Sequence, residues 1–251
     1  MKVSSLLERL EYSCCQGSVE QEVSTVEYDS RKVIEDSLFI CIKGAVVDGH
    51  KFVPDVIAKG AKTLVVQEDI EAPQDVTVIK VEDTRYAMAF ISAAYFGHPA
   101  EKLKTIGITG TKGKTTTTYM VKSILENAGY KVGLIGTIEA IIGDEVIPAA
   151  NTTPESFVVQ KYFRKMADAG CDCVVTRFRS ILHRWWKPDV TVWLWKFLHR
   201  DLCFTEHRAL FLTMVFLQIL NQIISDRMST EILHIILPAN PCFSASVRLV
   251  S

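Results

Sequence analysis

The sequence predicts an α/β protein of two domains followed by a tail of uncertain structure, and three observations predict it. Short apolar runs alternate with helical stretches over the first 175 residues. A glycine-punctuated turn, Gly107-Ile108-Thr109-Gly110-Thr111-Lys112-Gly113-Lys114-Thr115-Thr116, joins a strand to a hydroxyl-rich helix start. All 13 glycines lie at or before Gly170, whereas all four tryptophans fall between Trp185 and Trp195.

Met1 to Leu10 is charged too early and too often for a signal peptide and suggests an amphipathic helix of a cytoplasmic protein. Val23 to Asp29, Leu38 to Ile42, Thr63 to Gln67 and Val76 to Val81 are expected strands, with a helix over Lys51 to Lys59. Asp83 is placed to cap a helix running to Phe96 and stopping at Gly97-His98-Pro99, which sets the first domain at residues 1–98.

The second domain, residues 99–175, opens with a strand from Lys104 to Thr109 and a helix that continues through Tyr119 to Ala128 and ends at Gly129. A strand over Lys131 to Gly136 and a hairpin turning near Gly143-Asp144 follow. Thr153 and Pro154 predict a helix to Ala169, ended by Gly170, and Cys171 to Val175 begins another core strand of a parallel sheet. From Thr176 the chain lacks the glycines that turns and helix ends require, so residues 176–251 form an aberrant tail. The run Ala209 to Ser225 is apolar, but Thr213, Gln218, Asn221 and Gln222 interrupt it and it barely reaches bilayer length, so no membrane span is expected.

A net charge of −1 gives no field that would attract nucleic acid. The seven cysteines lack the spacing of a zinc or redox motif and are expected to be reduced structural thiols. The glycine-rich turn carries the chemistry. Its amides and the helix N-terminus suit a nucleotide polyphosphate such as that of ATP, Lys114 suits the β- and γ-phosphates, and the Thr115 hydroxyl suits Mg²⁺. The sequence keeps G-x-x-G-K-T, with Ile108 where the longer form has glycine. Lys112 lies inside the loop, but its side chain is expected to be a solvated charge.

Tyr28-Asp29-Ser30-Arg31-Lys32, Ser37-Leu38-Phe39-Ile40, Asp48-Gly49-His50, the phosphate loop and Asn151-Thr152-Thr153-Pro154 occur in one order that resembles the Mur ligases over residues 1 to 175. Among these the order is most similar to members that add the third amino acid to UDP-N-acetylmuramoyl-L-alanyl-D-glutamate. The resemblance implies a first domain that holds the UDP end, with Ser30 on the uridine, Tyr28 beside it and the Gly44-Ala45-Val46-Val47 loop lining the pocket. It implies that Gly110, Thr111, Lys112, Gly113, Lys114, Thr115 and Thr116 bind ATP, with Lys114 catalytic, and that Asn151, Thr152 and Thr153 meet the muramoyl-dipeptide.

The implied activity is ATP-dependent amide formation in peptidoglycan synthesis by a monomeric enzyme. The family also implies an acidic strand end of the glutamate-valine-serine-serine type, a metal-binding histidine, a carbamylated lysine and a third domain that binds the amino acid. Thr176-Arg177-Phe178-Arg179-Ser180 stands instead, so the chain is expected to be truncated and inactive, its reading frame lost near codon 175. Two other readings are a folylpolyglutamate synthetase relative and a nucleotide- or UDP-sugar-binding module with a membrane or partner anchor.

Overall fold

The computed structural model describes residues 1–44, 47–110, 114–149 and 154–177, and the backbone of three later strands. The chain divides into two compact units, Met1–His98 with Glu155–Lys161, and Pro99–Pro154 with Tyr162–Ser251.

The first unit is built on a five-stranded sheet, β1 (Ser13–Gln16), β2 (Thr25–Glu27), β3 (Ser37–Ile40), β4 (Ala61–Val66) and β5 (Thr77–Lys80), in the order β1-β5-β4-β3-β2. β2 to β5 are parallel, and β1 runs antiparallel along β5. Residues alternate between the two faces as strand geometry requires. Leu38, Ile40, Val65 and Ile79 pack with Val3, Leu6, Ala87, Met88 and Ile91 on one face. Phe39, Cys41, Leu64, Val66 and Val78 pack with Val53 and Val56 on the other. Such parallel strands, covered on both faces, read as unbroken apolar runs in the sequence.

Helix α1 covers only Val3–Leu6, shorter than the span expected over Met1 to Leu10. The amides of Val3 and Ser4 donate to the carbonyls of Gln21 and Val19, which ties its start to a neighbouring segment. The expected helix at Lys51 begins as a 3-10 turn over Gly49–Phe52, and α2 occupies Val53–Ala58. Asp83 caps α3 (Thr84–Tyr95) through the amides of Arg85 and Tyr86. Gly97 (φ 74°) and His98 (φ 50°) then turn the chain away in the left-handed region, ahead of Pro99.

The second unit contains an eight-stranded sheet: β6 (Lys104–Gly110), β7 (Val132–Ile135), β8 (Glu139–Ile142), β9 (Glu145–Pro148), β10 (Cys173–Arg177), β11 (Val192–Lys196), β12 (Ile235–Ile236) and β13 (Ser246–Leu249). Their order is β12-β13-β11-β6-β10-β7-β8-β9. The four central strands are parallel and the flanks are antiparallel, so the expected parallel sheet is a mixed one. Helix α4 (Lys114–Asn127) buries Val121 and Leu125 against Ile106, Ile108, Leu134 and Val175. Helix α5 (Ser156–Asp168) starts two residues after Pro154 and carries the fully buried Phe163 and Met166. A Cβ on Gly133 of β7 would lie 2.5 Å from the Met166 sulfur, so a side chain there would require Met166 to move.

Among the described residues no helix is long and apolar enough to cross a membrane. The apolar run Ala209 to Ser225 lies outside them.

Candidate functional site

β6 ends at Gly110 and α4 begins at Lys114, so the glycine-rich turn joins the carboxyl end of a central parallel strand to a helix N-terminus. Phosphates bind in this setting because unbonded amides and the helix dipole both face an anion there. Thr111, Lys112 and Gly113 lie outside the described residues. Lys114 and Thr115 are half-buried in the first turn, and Thr116 is exposed.

The Thr115 hydroxyl lies 3.3 Å from that of Thr137, which follows β7. Arg177, the last residue of β10, donates from Nη1 to the same Thr137 oxygen. Parallel pairing places these groups together: Arg177 registers with Ile108 of β6, and Thr176 with Ile135 of β7. Sequence reasoning misses Thr137, and it marks Arg177 only as part of the segment standing where the family resemblance implies an acidic strand end. Their signal is positional, since each ends or follows a strand neighbouring β6 or β10.

Near the same helix, the Tyr119 hydroxyl donates to Glu139 at 2.7 Å. That bond, with burial, pushes the Tyr119 phenol up to about 12. A resident Mg²⁺ needs carboxylate or other oxygen donors. Thr115 offers a hydroxyl, but its described neighbour Thr137 already accepts from the Arg177 guanidinium, and Glu139 accepts from Tyr119. The described donor set therefore fits a protein-held magnesium ion poorly.

In the first unit, Tyr28 is half-buried and its ring centroid lies 5.6 Å from that of Phe157, which also meets Tyr95 and Phe96. Burial, followed by the Glu155 charge, raises the Tyr28 phenol. Glu155 itself accepts from Arg85 Nη1 at 2.8 and 2.9 Å, a pair 70 positions apart that no sequence spacing signals. The Ser30 carbonyl accepts from Lys59 Nζ at 2.7 Å, and Arg31 grips Asp29 through two bonds, which hold the Asp29 carboxyl at about 2. Val47 is exposed, while Ala45 and Val46 fall outside the described residues, as do Asn151, Thr152 and Thr153.

Among the described residues the free cysteines are Cys14 and Cys15, exposed, and Cys41, Cys171 and Cys173, buried. Burial pushes the Cys41 thiol up to about 12 and Cys173 to about 11, which suits inert structural thiols.

Residues 22–96 match the catalytic domain of the Mur ligase family, and residues 108–180 match the Mur ligase middle domain. A UDP-N-acetylmuramoyl-L-alanyl-D-glutamate–2,6-diaminopimelate ligase of Clostridium perfringens is 51% identical over 180 residues, 72% of this chain and 37% of the relative. One from Bacillus licheniformis is 44% identical over 181 residues, again 72% of this chain and 37% of the relative. The chain thus spans little more than a third of the curated relatives it matches. Among solved structures, a ligase of the same description shares the fold with a TM-score of 0.62 at 16% identity, over 81% of this chain and 42% of its own.

Proposed function

We propose, for a chain that belongs to the Mur ligase family over residues 22–180, that it derives from an ATP-dependent ligase extending the peptide of UDP-N-acetylmuramoyl-L-alanyl-D-glutamate. The names of these relatives suggest 2,6-diaminopimelate as the amino acid. The observation that carries the reading is the placement of Lys114 and Thr115 at a helix start directly after the central parallel strand β6, within a segment about half identical to such ligases.

In the proposed reaction a substrate carboxylate attacks the γ-phosphorus of ATP, releasing ADP and leaving an acyl phosphate. The amino group of the incoming amino acid then attacks the acyl carbon, expelling inorganic phosphate and losing a proton. Activation is required because a carboxylate is a poor electrophile. Lys114 and the amides from Gly110 to Lys114 would hold the phosphates and offset the charge that spreads over the transferred group. Magnesium would arrive on the nucleotide, touching the Thr115 hydroxyl, because the described side chains do not form a cage for it.

Tyr28, Ser30 and the Gly44–Val47 loop are proposed to meet the uridine nucleotide, and Asn151, Thr152 and Thr153 the muramoyl-dipeptide. The domains are proposed as 1–98 and 99–175, in a cytoplasmic monomer.

The tail from Thr176 is proposed to be an out-of-frame reading. The genetic code permits a specific check, in the frame that starts on the third base of each written codon. With Arg177 written AGG, Arg179 written CGN and suitable third bases at Thr176 and Phe178, positions 177 to 179 become glutamate, valine and serine, the first three residues of the strand end that the family resemblance implies. At Met214-Val215 the same frame yields GGT, a glycine, whichever valine codon is used. Trp185-Trp186-Lys187 becomes, after its first position, valine and glutamate by necessity.

The test is phosphate release. A chain read in that frame from residue 176 and continued to the full length of its relatives should release phosphate only when ATP, UDP-N-acetylmuramoyl-L-alanyl-D-glutamate and diaminopimelate are all present. Release that ignores the last two would reject the ligase reading.

A further inference from the structure

In the first unit, the stretch between β3 and α2 doubles back on itself: Lys43 and Asp48 form an antiparallel bridge, the Gly44 amide donates to Val47 at 3.0 Å, and the Gly49 amide donates to Ile42 at 2.9 Å. A Cβ on Gly49 would stand 2.7 Å from the Ile42 nitrogen, so only glycine closes this turn. His50 follows, its side chain 8% exposed. Its Nδ1 lies 2.6 Å from Asp48 Oδ1, and its Nε2 accepts the Gln67 amide at 3.1 Å.

An imidazole nitrogen that accepts an N–H bond carries no proton, so the ring proton sits on Nδ1 and is donated to Asp48. Asp48 Oδ1 also accepts the His50 amide at 3.0 Å, and these two bonds hold its carboxyl below the usual range. Gln67 in turn uses its side-chain oxygen to accept from the amide and hydroxyl of Thr84 at the start of α3, each at 3.4 Å. Glu68 pairs with Lys43, the other stem of the turn. Although Asp48, His50 and Glu68 lie close enough together to suggest a cation site, both His50 nitrogens are already engaged.

We propose that His50 is a positioning residue: its imidazole, wedged between Asp48 and the Gln67 amide, fixes the stems of the Gly44–Val47 loop against the end of β4 and thereby sets the affinity of the first unit for a uridine nucleotide. The second half of this statement rests on the uridine reading of that loop, whereas the first half does not. Phenylalanine in place of His50 fills the space but accepts nothing, and glutamine restores an acceptor on a side chain of similar reach.

The experiment uses the full chain, with UDP as the probe in calorimetry and amide hydrogen exchange as the second readout. His50→Phe should weaken UDP by about tenfold, the equivalent of one lost hydrogen bond. It should also speed exchange at the Gln67 and Gly44 amides. His50→Gln should recover most of both. Unchanged UDP affinity together with unchanged Gln67 exchange in His50→Phe would overturn the proposal. A parent chain that ignores UDP would reject the uridine reading alone. The lock then still requires faster Gln67 and Gly44 exchange in His50→Phe, and equal rates would overturn it. Zn²⁺ that shifts the His50 ring nitrogens would also overturn it, since it would show a nitrogen available to metal.

Discussion

The chain before Thr176 and the chain from Thr176 onward are written in different local languages. Before it, glycine stands at element ends where left-handed backbone is needed: Gly60, Gly97, Gly129, Gly143 and Gly170 have φ between 58° and 98°, and each follows a helix or opens a hairpin. After Gly170 there is no glycine, and four tryptophans crowd into eleven positions. A sequence selected for a fold agrees with itself at every level, from caps and turns to core. The front agrees with itself in this sense. The tail supplies strand backbone at β11, β12 and β13 without a single glycine.

The largest effect that would sharpen this contrast is catalytic. The chain as written is expected to show no substrate-dependent ADP formation in a coupled assay, whereas the frame-restored chain, continued to its relatives' length, is expected to turn over. Equal activity in the two would break the comparison, because a tail that supports catalysis is not an accident of reading.

The next effect is one of stability. Phe163, fully buried on α5, is expected to cost about 3–5 kcal/mol when cut to alanine. Trp193→Ala in the tail is expected to change stability by less than about 0.5 kcal/mol in urea melts of the second unit. Comparable losses at both positions would mean that the tail is selected for this sheet.

The smallest effect lies within the front. Asp29, held at about 2 by Arg31 against an ordinary 3.8, contributes stability that is complete above its ordinary value and disappears as pH falls through about 2. The Arg31 side chain is 85% exposed, so the contribution is slight. Carboxyl titration by NMR should return Asp29 toward its ordinary value in Arg31→Ala, and an unmoved titration would show that the pair does not persist in solution.

Much of the front was legible because its signals are local. Asp83 two residues before the Arg85 amide, glycine after each of α2 to α5, and unbroken apolar runs at β3, β4 and β5 all act within a few positions. β1 escaped because Ser13, Cys14 and Cys15 are exposed on an edge strand, so the alternation that betrays a strand is absent. α1 was overdrawn because the length of a short helix depends on the segment bonded to its first amides, here Val19 and Gln21. At the candidate site the joining of a strand to a helix start at Lys114 was visible in the sequence, but the neighbours of Thr115 were not. Thr115, Thr137 and Arg177 meet only because β6, β7 and β10 run side by side, and the Arg85–Glu155 pair closes across 70 positions. His50 carries no local signal for its contact, because the Gln67 amide it accepts stands 17 positions away.

The central claim, that amides between Gly110 and Lys114 cradle a nucleotide polyphosphate, is tested most directly by titrating ATP into the full chain and its Lys114→Ala variant by calorimetry. Saturable binding at one site in the parent, weakened at least about a hundredfold in the variant, is the expected result. A parent that does not bind ATP, or a variant that binds it equally well, would contradict the claim.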